Sequence, residues 1–483
     1  MSETKFLLLP KDFIFGTATS AYQIEGGADA GGKGESVWDR FAATRGAIAD
    51  CGEARVSNDG RVACDHYRLW ESDLDLMASL GLKAYRFSIS WPRVLPSGSL
   101  SPNLKGLEFY DALVDGMLER GIRPFATLFH WDLPQALQER GGWASRGTID
   151  AFLAYADLAA RRLGDRVKDW MTHNEPWVYA FCGHLFGAHA PGLRDLKTAL
   201  AVAHNLLVSH GLAVPLIRSE VPGARIGIVH NLEWVEAATD RPEDIAAARR
   251  HDGAFNRWFL DPVFGRGYPE DMALWYGADM PRIEPGDLEA MAAPMDFLGV
   301  NYYTRRVMRA DPSGRGSEGR SVFAALQVHW PFAERADFEE WEVAPEGLYR
   351  LLLRVAREYS PAEILVTENG MSWPDAPSAD GKVHDPRRIR YIARHLAAVR
   401  QAIDDRAPVK GYFLWSFMDN FEWGFGYTKR FGMTWVDFAT QERIVKDSGT
   451  WYAATARARG FPLSDACSLS PPIYGIDAEA KPG

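Results

Sequence analysis

Short runs of apolar residues recur along the chain, and each is followed by a longer segment in which apolar and polar residues are mixed. Eight of these runs are rich in Val, Ile, Phe and Tyr and do not alternate between apolar and polar positions. That pattern is typical of parallel strands that are buried on both faces. The predicted strands are Phe13–Thr19, Ala84–Ser90, Arg123–His130, Val167–Glu175, Arg225–Asn231, Phe297–Tyr303, Ile364–Asn369 and Gly411–Phe417.

The segments between these runs have apolar residues three or four positions apart, which is the spacing of one helix face. In Asp65–Leu80, for example, Trp70, Leu74 and Met77 share such a face, and Gly81 follows as a stop signal. The same scheme predicts further helices at Leu107–Arg120, Ile149–Leu163 and Pro386–Asp404.

Strands that alternate with helices predict a parallel sheet, and eight is the number that closes a barrel. We therefore predict an α/β fold, a single (β/α)8 or TIM barrel over residues 1–460. Long insertions fall near 20–65, 176–200, 232–295 and 304–345, mostly after the carboxyl end of a strand, where barrel enzymes build their sites. The Ser-, Pro-, Ala- and Gly-containing stretch 461–483 is expected to be a C-terminal tail, packed on the surface or partly disordered.

Two glutamates stand at the ends of predicted strands. Glu175 ends the fourth strand and is followed by Pro176, while Glu368 lies near the end of the seventh and is soon followed by Gly370. A charged residue at the end of a buried apolar run is unusual. Because the carboxyl ends of parallel barrel strands open onto one face, the two carboxylates are expected to meet there.

Enzymes that cleave glycosidic bonds typically use two carboxyl groups for catalysis. Groups about 5–5.5 Å apart favour cleavage with retention through a covalent intermediate, and a gap of about 6.5–9.5 Å favours inversion. The sequence leaves that distance open. A structural ion pair at the barrel rim would account for one such glutamate, but less well for two that each lie beside an asparagine, Asn174 and Asn369.

Composition adds only a little to this picture. The 17 tryptophans favour a carbohydrate ligand, because indole faces stack on the C–H faces of sugar rings, although large aromatic residues also fill a large core. The net charge of −10 argues against nucleic acid as a partner, since such binding requires clustered Lys and Arg.

The four cysteines, Cys51, Cys64, Cys182 and Cys467, form no CxxC pair and indicate a reducing compartment. The apolar run near the N-terminus is too short for a signal peptide. No stretch is expected to reach the length of a membrane span. We therefore expect a cytoplasmic protein without a membrane partner.

Eight blocks of the sequence resemble the signature motifs of glycoside hydrolase family 1, the β-glucosidase family, and the resemblance extends from Phe13 to about Tyr452. The blocks are Phe13–Gly26 (FIFGTATSAYQIEG), Ser36–Phe41 (SVWDRF), Tyr85–Arg93 (YRFSISWPR), Leu128–Pro134 (LFHWDLP), Asn174–Pro176 (NEP), Asn301–Thr304 (NYYT), Val366–Gly370 (VTENG) and Trp415–Trp423 (WSFMDNFEW).

The resemblance implies a retaining, exo-acting β-glycosidase that uses no cofactor and no metal. The favoured activity is that of a β-glucosidase, which removes terminal β-D-glucosyl residues from small glucosides or oligosaccharides such as cellobiose, with a role in cellulose and cellobiose degradation. Glu175 would be the general acid/base and Glu368 the nucleophile. Arg86 and Tyr303 would be the partners of the nucleophile, since a nearby guanidinium favours an ionised carboxylate.

Residues that would hold the sugar also follow from the resemblance. Gln23 and Glu422 would bind the hydroxyl groups far from the reacting carbon. His130 and Asn174 would bind those beside it, and Asn301 would support the site.

Aromatic residues would complete the pocket. The resemblance makes Trp415 the platform under the sugar ring. Trp423 would cap the pocket, with its indole N–H free to donate. Trp341 would be the platform on the aglycone side.

Related activities share these motifs in part. A 6-phospho-β-glycosidase would have a Ser and Lys cluster near Glu422 and Trp423, where a carboxylate would repel phosphate. A thioglucosidase would lack Glu175. β-Galactosidase, β-fucosidase and transglycosylase activities stay open, because contacts to one or two hydroxyls or the choice of acceptor would decide them.

Interpretations of another class are a catalytically inactive carbohydrate-binding barrel and a metalloenzyme. An inactive barrel would usually lack a catalytic carboxylate, whereas both are present. His173, His184 and His189 cluster in the sequence but have no metal-ligand spacing, so hydrogen-bonding roles are expected. The aglycone, the linkage preference and the oligomeric state are left open.

Overall fold

Parallel strands form the centre of the computed structural model, which describes residues 6–99, 101–313, 323–330, 333–338 and 340–467. In chain order, the strands in these ranges are β1 (Phe6–Leu8), β2 (Ile14–Ala18), β3 (Ala84–Ser88), β4 (Arg123–Phe129), β5 (Asp169–Asn174), β6 (Arg225–Asn231), β7 (Trp234–Ala237), β8 (Phe297–Asn301), β9 (Arg305–Ala310), β10 (Ala325–Val328), β11 (Ile364–Asn369), β12 (Val409–Trp415), β13 (Thr434–Val436), β14 (Arg443–Val445) and β15 (Gly460–Pro462).

The barrel closes in the order β2, β3, β4, β5, β6, β8, β11, β12 and back to β2, with every neighbouring pair parallel. The predicted (β/α)8 barrel is therefore confirmed, and each predicted strand overlaps one of these eight. Several strands end earlier than predicted. At β5 the reason is local, because Glu175 has a φ of +49° and cannot continue an extended strand.

Helices surround the barrel and also fill its loops. The described helices are α1 (Ala21–Ile24), α2 (Val37–Ala42), α3 (His66–Ser79), α4 (Trp91–Val94), α5 (Leu104–Glu119), α6 (Gln135–Gln138), α7 (Gly147–Leu163), α8 (Leu196–Glu220), α9 (Pro242–Asp252), α10 (Trp258–Val263), α11 (Glu270–Tyr276), α12 (Asp287–Met291), α13 (Pro345–Tyr359), α14 (Pro386–Asp404), α15 (Asp447–Ala458) and α16 (Ser464–Cys467).

The predicted helices are confirmed as α3, α5, α7 and α14. The stop after α3 has a clear physical cause. Gly81 has a φ of +75°, and its N–H donates to the carbonyl of Ala78, while the N–H of Leu82 donates to that of Met77. This pattern satisfies the last carbonyls of the helix and favours glycine.

The barrel interior is filled by one buried residue from each strand. These residues are Ala18, Ala84, Phe125, Met171, Val229, Phe297, Leu365 and Phe413. The space is full: a Cβ on Gly16 would lie 2.4 Å from the ring of Phe413. The interior is therefore a packed core rather than a pore, and a site has room only at its ends.

Helix α8 corrects the expectation that no segment is long and apolar enough to cross a membrane. Its 25 residues reach that length, and its most apolar window has a mean hydropathy of 1.6. However, 78% of that window is buried inside the protein, where α8 packs on α7 and α12. Burial in the barrel wall accounts for its apolar character.

The first residues of the predicted C-terminal tail are packed against the N-terminal strand. Strand β15 pairs antiparallel with β1, and Phe461 is buried. The short helix α16 follows. The rest of the predicted tail, 468–483, lies outside the described residues.

Two of the long insertions contain a small sheet that the sequence pattern did not predict. Its order is β10-β9-β7, in which β9 pairs antiparallel with β10 and parallel with β7. Because β7 follows β6 and β9 follows β8, this sheet stands at the carboxyl end of the barrel.

A buried cluster of charges ties together two loops at the same end. Lys446 donates to Asp375, in the loop after β11, and to Asp419, in the loop after β12, each at 2.9 Å. Arg388 lies 2.6 Å from Asp375, and Arg430 lies 2.8 Å from Asp419. Lys446, Asp419 and Arg388 are fully buried. The cost of removing each charge from water must therefore be offset by its oppositely charged partners.

We expect Lys446→Met to lower the free energy of unfolding by about 3–5 kcal/mol, because it leaves Asp375 and Asp419 short of a buried cation. Urea unfolding followed by circular dichroism measures the change. The matched control is Lys410→Met, which removes a solvent-exposed pair with Asp12 at 3.5 Å and should cost about 0–1 kcal/mol. Equal losses in the two variants would contradict the role given to the cluster.

Candidate active site

The two glutamates singled out from the sequence lie at the carboxyl end of the barrel. Glu368 is the penultimate residue of β11, and Glu175 directly follows β5. Their exposed fractions are 3% and 6%. The parallel strands therefore bring together two buried carboxyl groups that are nearly two hundred positions apart in the chain.

Glu368 receives hydrogen bonds on both carboxyl oxygens. Arg86 Nη1 donates to Oε1 at 2.5 Å, and the hydroxyl of Tyr303 donates to Oε2 at 2.7 Å. Arg86 lies on β3 and is itself held in place by two further hydrogen bonds. Its Nη2 donates to Asn174 Oδ1 at 2.6 Å, and its Nε donates to Thr127 Oγ1 at 3.2 Å. The cation is thus fixed against the carboxylate before any substrate binds.

Glu175 is held by an amide that lies between the two carboxyl groups. Asn301 Nδ2 donates to Glu175 Oε1 at 2.7 Å, and Thr367 Oγ1 donates to Asn301 Oδ1 at 2.7 Å, which fixes the orientation of the amide. The side chain of Asn301 also interacts with Glu368. Asn301 therefore bonds Glu175 directly and stands opposite Glu368 in the pairing of β8 with β11.

Burial and mutual repulsion perturb the two carboxyl groups. Burial, followed by the charge of Glu368, raises the pKa of Glu175 well above its usual range. Burial also raises the pKa of Glu368, but Arg86 and Tyr303 oppose that rise. Because a guanidinium and a phenol donate directly to Glu368, the pair keeps its proton on Glu175 and its negative charge on Glu368.

The backbone at three site residues lies in the left-handed region. Glu175, Trp131 and Trp423 have φ values of +49°, +78° and +49°. Such conformations cost about 1–3 kcal/mol each for residues with a Cβ. At Glu175 the N–H donates to the carbonyl of Val229 on β6 at 2.8 Å. That bond fixes the turn which directs the glutamate side chain into the pocket.

Asn174 and His130 lie side by side, as the sequence implied. Asn174 Oδ1 accepts from Arg86 and Asn301, so its Nδ2 is the atom that faces His130 Nε2, at 3.0 Å. The indole N–H of Trp131 donates to the backbone carbonyl of Asn174 at 2.8 Å. Burial, and then Arg86, lowers the pKa of His130 well below its usual range, which keeps the ring neutral.

Gln23 and Glu422 lie together on another side of the pocket. Gln23 accepts from Ser20 at 2.6 Å and donates to Asn420 Oδ1 and to the carbonyl of Phe421, each at 2.9 Å. Burial, and then the charge of Glu368, raises the pKa of Glu422 to about 8, and the Gln23 side chain opposes the rise. Among the described residues, Glu422 Oε2 has no hydrogen-bond partner although it is buried. It is available to a hydroxyl group.

Trp415 and Trp423 form aromatic walls around His130. Each indole centroid lies 6.0 Å from the imidazole centroid, at interplanar angles of 20° and 18°. Trp423 also contacts Trp131 at 4.5 Å and Trp38 at 4.6 Å. The platform and cap predicted from the sequence are therefore brought to the same pocket.

Trp341 lies beside the tyrosine that bonds Glu368. Its ring centroid is 5.0 Å from that of Tyr303, whose hydroxyl bonds Glu368. Phe338 stacks on it at 4.4 Å. The structure therefore places Trp341 beside the phenol partner of Glu368, and its aglycone-side role stays a prediction.

Several residues of the site were missed in the sequence. Thr127 and Thr367 orient Arg86 and Asn301, and both stand on barrel strands. Asn231 ends β6 opposite Asn301, and its buried Oδ1 has no partner among the described residues. For Asn231, the signal available in the sequence was its position at the end of a strand, whereas Thr127 and Thr367 lie within their strands.

Trp177 was also missed, although it follows the Asn174–Pro176 block directly. It is half-buried, and it packs 4.2 Å from Phe255 and 5.5 Å from Phe181. Its indole N–H has no partner among the described residues. It therefore belongs to an aromatic cluster that follows Glu175 closely in the chain.

The three clustered histidines have separate surroundings. His173 Nε2 lies 2.8 Å from Ser209 Oγ, and burial lowers the pKa of His184 and of His189 to about 4. Within the ranges that the structure describes, no group of three His, Cys, Asp or Glu side chains is placed to hold a metal ion.

An ionised carboxylate faces a protonated one in this pocket, and aromatic rings and free polar atoms surround them. A sugar ring presents C–H faces to such walls and hydroxyl groups to such polar atoms. The arrangement is therefore equipped to attack and to protonate the two sides of a glycosidic bond.

Known proteins share both the sequence and the fold of this chain. Beta-glucosidase A of Thermotoga maritima is 44% identical over 459 residues, which cover 94% of this chain and 98% of that protein. Beta-glucosidase A of Acetivibrio thermocellus is 45% identical over 458 residues, which cover 94% and 99%. A solved structure of the family 1 β-glucosidase from Thermotoga maritima superposes with a TM-score of 0.89 at 43% identity and covers 95% of this chain and 99% of its own.

The same Thermotoga enzyme has been solved in complex with isofagomine lactam, again with a TM-score of 0.89 and 43% identity, covering 95% of this chain and all of its own. The family model described as glycosyl hydrolase family 1 matches residues 6–461. This match spans nearly the whole described chain, including every block on which the resemblance was based. The chain belongs to glycosyl hydrolase family 1.

Proposed function

We propose that this protein is a retaining, exo-acting β-glycosidase and that its preferred activity is that of a β-glucosidase. The observation that carries the proposal is the pair of buried carboxyl groups, with Glu368 ionised against Arg86 and Tyr303 and with Glu175 holding a proton. Asn301 bonds Glu175 and stands opposite Glu368 in the pairing of β8 with β11, which supports the short separation of a retaining pair, about 5–5.5 Å.

In the first step, a carboxylate oxygen of Glu368 attacks the anomeric carbon as the bond to the leaving oxygen breaks. Glu175 gives its proton to that oxygen, so the aglycone departs as an alcohol and a glycosyl ester remains on Glu368. Arg86 and Tyr303 orient the attacking group. The proton on Glu175 is the one that its raised pKa retains.

In the second step, Glu175 is ionised because it has lost its proton. It takes a proton from a water molecule, whose oxygen attacks the anomeric carbon and breaks the ester bond to Glu368. The sugar leaves with its original configuration after two displacements. Both carboxyl groups then return to their starting states.

The polar atoms around the pair support a pocket for one terminal sugar. The side chain of Gln23 interacts with Glu422, and Trp423 stacks near His130, which lies beside Asn174. A ring enclosed in this way is removed singly, which is exo action. The preference for glucose is supported by the relatives named beta-glucosidase and by a 45% identical relative of Thermotoga neapolitana named 1,4-beta-D-glucan glucohydrolase.

Related substrates remain within the proposal. Acceptance of β-galactosides or β-fucosides, and transfer of the sugar to an alcohol, would use the same intermediate. A 6-phosphorylated sugar is disfavoured, because the partly buried carboxyl group of Glu422 offers a phosphate no positive charge and repels it once ionised. We further propose a cytoplasmic role in the breakdown of cellobiose and short cellulose fragments. The reduced thiols of Cys51, Cys64 and Cys182 support that location.

Glu368→Ala should abolish hydrolysis of aryl β-glucosides and cellobiose, because no carboxylate is left to form the glycosyl ester. Release of 4-nitrophenol and of glucose measures the loss. Glu358→Ala, at an exposed helical position, is the matched control and should keep full activity. If purified protein left both substrates untouched and Glu368→Ala behaved identically, the assignment would fall.

Glu175→Gln should lower kcat for glucosides with poor leaving groups by about 10²–10⁴-fold, since the acid that protonates them is lost. A 2,4-dinitrophenyl glucoside should still react in the first step, and azide should restore turnover by replacing the activated water. Nuclear magnetic resonance identifies the azide product, which should be the β-glucosyl azide. An α-glucosyl azide would instead place the nucleophile at position 175.

Tyr303→Phe should move the acid limb of the kcat/KM–pH profile upward by about one unit. The phenol stabilises the ionised form of Glu368. Its removal raises the pKa of that carboxyl, so activity is lost at a higher pH as the nucleophile becomes protonated. Tyr349→Phe, whose hydroxyl bonds Asp405 on the outside of the barrel, serves as the control. A shift of the alkaline limb alone would contradict the assignment of the nucleophile.

A further inference from the structure

The two carboxyl oxygens of Glu175 have different surroundings. Asn301 Nδ2 donates to Oε1 at 2.7 Å, whereas Oε2 has no hydrogen-bond partner among the described residues. Glu175 is 6% exposed, so part of its carboxyl group reaches the open pocket. Which oxygen carries the proton depends on whether the atom of Asn301 that faces Oε1 is a nitrogen or an oxygen.

The orientation of the Asn301 amide can be traced to Arg86. A guanidinium only donates hydrogen bonds, so the atom of Asn174 that lies 2.6 Å from Arg86 Nη2 is its oxygen, Oδ1. This oxygen lies 3.1 Å from the nearest amide atom of Asn301, which must therefore be the nitrogen, Nδ2. The two N–H groups of Asn301 thus donate to Asn174 and to Glu175.

Thr367 holds the same amide from its other end. Its hydroxyl donates to Asn301 Oδ1 at 2.7 Å, so both N–H groups and the carbonyl oxygen of the amide have protein partners. Thr367, Asn301 and Asn174 are at most 1% exposed, so bulk solvent does not compete for these bonds. A reversed amide would place its oxygen against Asn174 Oδ1 and would leave its nitrogen facing the Thr367 hydroxyl.

We propose that the hydrogen bonds from Arg86 through Asn174 and Asn301 confine the proton of Glu175 to Oε2, and that Thr367 is a positioning residue for that proton. In a protonated carboxyl group the carbonyl oxygen is a better acceptor than the hydroxyl oxygen, so Oε1, which accepts from Asn301, is the carbonyl. This inference rests on the proposed function and names the atom through which Glu175 acts.

The Oε2–H group serves both steps of the reaction. It gives its proton to the leaving oxygen as the glycosidic C–O bond breaks. In the second step Asn301 still donates to Oε1, so Oε2 is the oxygen that takes a proton from the water that cleaves the ester to Glu368. Arg86 therefore acts on both carboxyl groups, on Glu368 by direct contact and on Glu175 through two amides.

Thr367→Val keeps the shape of the side chain but removes the donor that holds Asn301, so the acid proton is placed less accurately. The ratio of kcat/KM for phenyl β-glucoside to kcat/KM for 2,4-dinitrophenyl β-glucoside should fall about tenfold, the effect of one hydrogen bond of ordinary strength. The ratio reports on the acid, because only the phenyl leaving group needs a proton. Thr367→Ser keeps the hydroxyl and should restore the ratio.

The matched control is Thr172→Val. It removes the hydroxyl of another buried threonine on a barrel strand, which lies 2.8 Å from His210 Nδ1 and not from an amide of the site. This variant should lose stability, as Thr367→Val does, but keep the ratio of the two substrates. An unchanged ratio in Thr367→Val, or an equal fall in Thr172→Val, would overturn the role given to Thr367.

A second measurement locates the proton without turnover, so it separates failure of this inference from failure of the proposed function. Infrared difference spectra against Glu175→Gln isolate the C=O band of the protonated Glu175. If Oε1 is the carbonyl, Asn301→Ala removes its hydrogen bond and should move the band to higher frequency. A band that stays in place would assign the proton to Oε1 and overturn the inference alone, whereas absence of the band would overturn the proposed function as well.

Discussion

The ion pair between Arg86 and Glu368 governs the electrostatics of the pocket. Three carboxyl groups lie close together there, those of Glu175, Glu368 and Glu422, and removing each from water costs several kcal/mol unless it is compensated. Arg86 is completely buried among them and compensates one. The other two respond by raised pKa values, as their burial and the charge of Glu368 require. The difference between nucleophile and acid therefore follows from where a single guanidinium is placed.

That placement follows in turn from the register of the barrel. Arg86 stands on β3, and Glu368 is paired with Asn301 across β11 and β8. Asn301 is also paired with Asn231 on β6. The polar side chains therefore come to similar heights because the strand hydrogen bonds fix them there. The side chains that fill the barrel interior, among them Phe125 and Phe413, leave no room for the site to extend deeper into the barrel.

The hydrophobic pattern of the sequence was sufficient to predict the barrel and to single out the two glutamates, whereas the residues expected to hold the sugar followed from the family resemblance. Buried parallel strands give continuous apolar runs, so their ends could be located to within a few residues, and the charges at those ends were conspicuous. Uncharged residues such as Thr127 and Asn231 gave no such contrast. The small sheet of β7, β9 and β10 and the pairing of β15 with β1 were also missed, because strands of three to six residues leave little periodicity. At α8 the expectation failed for another reason. Polar residues scattered through the helix hid the fact that it is long and apolar enough to cross a membrane.

The pairing of β1 with β15 has a practical consequence for handling the molecule. It brings Phe6 beside Pro462, close to the start of β2 and so at the opposite pole from the substrate entrance. Attachment to a resin, a carrier domain or a second enzyme near either of these strands would therefore orient the entrance outward. Because β1 and β15 lie together, one side of the folded protein is suited to attachment, and the opposite side stays open to substrate and product.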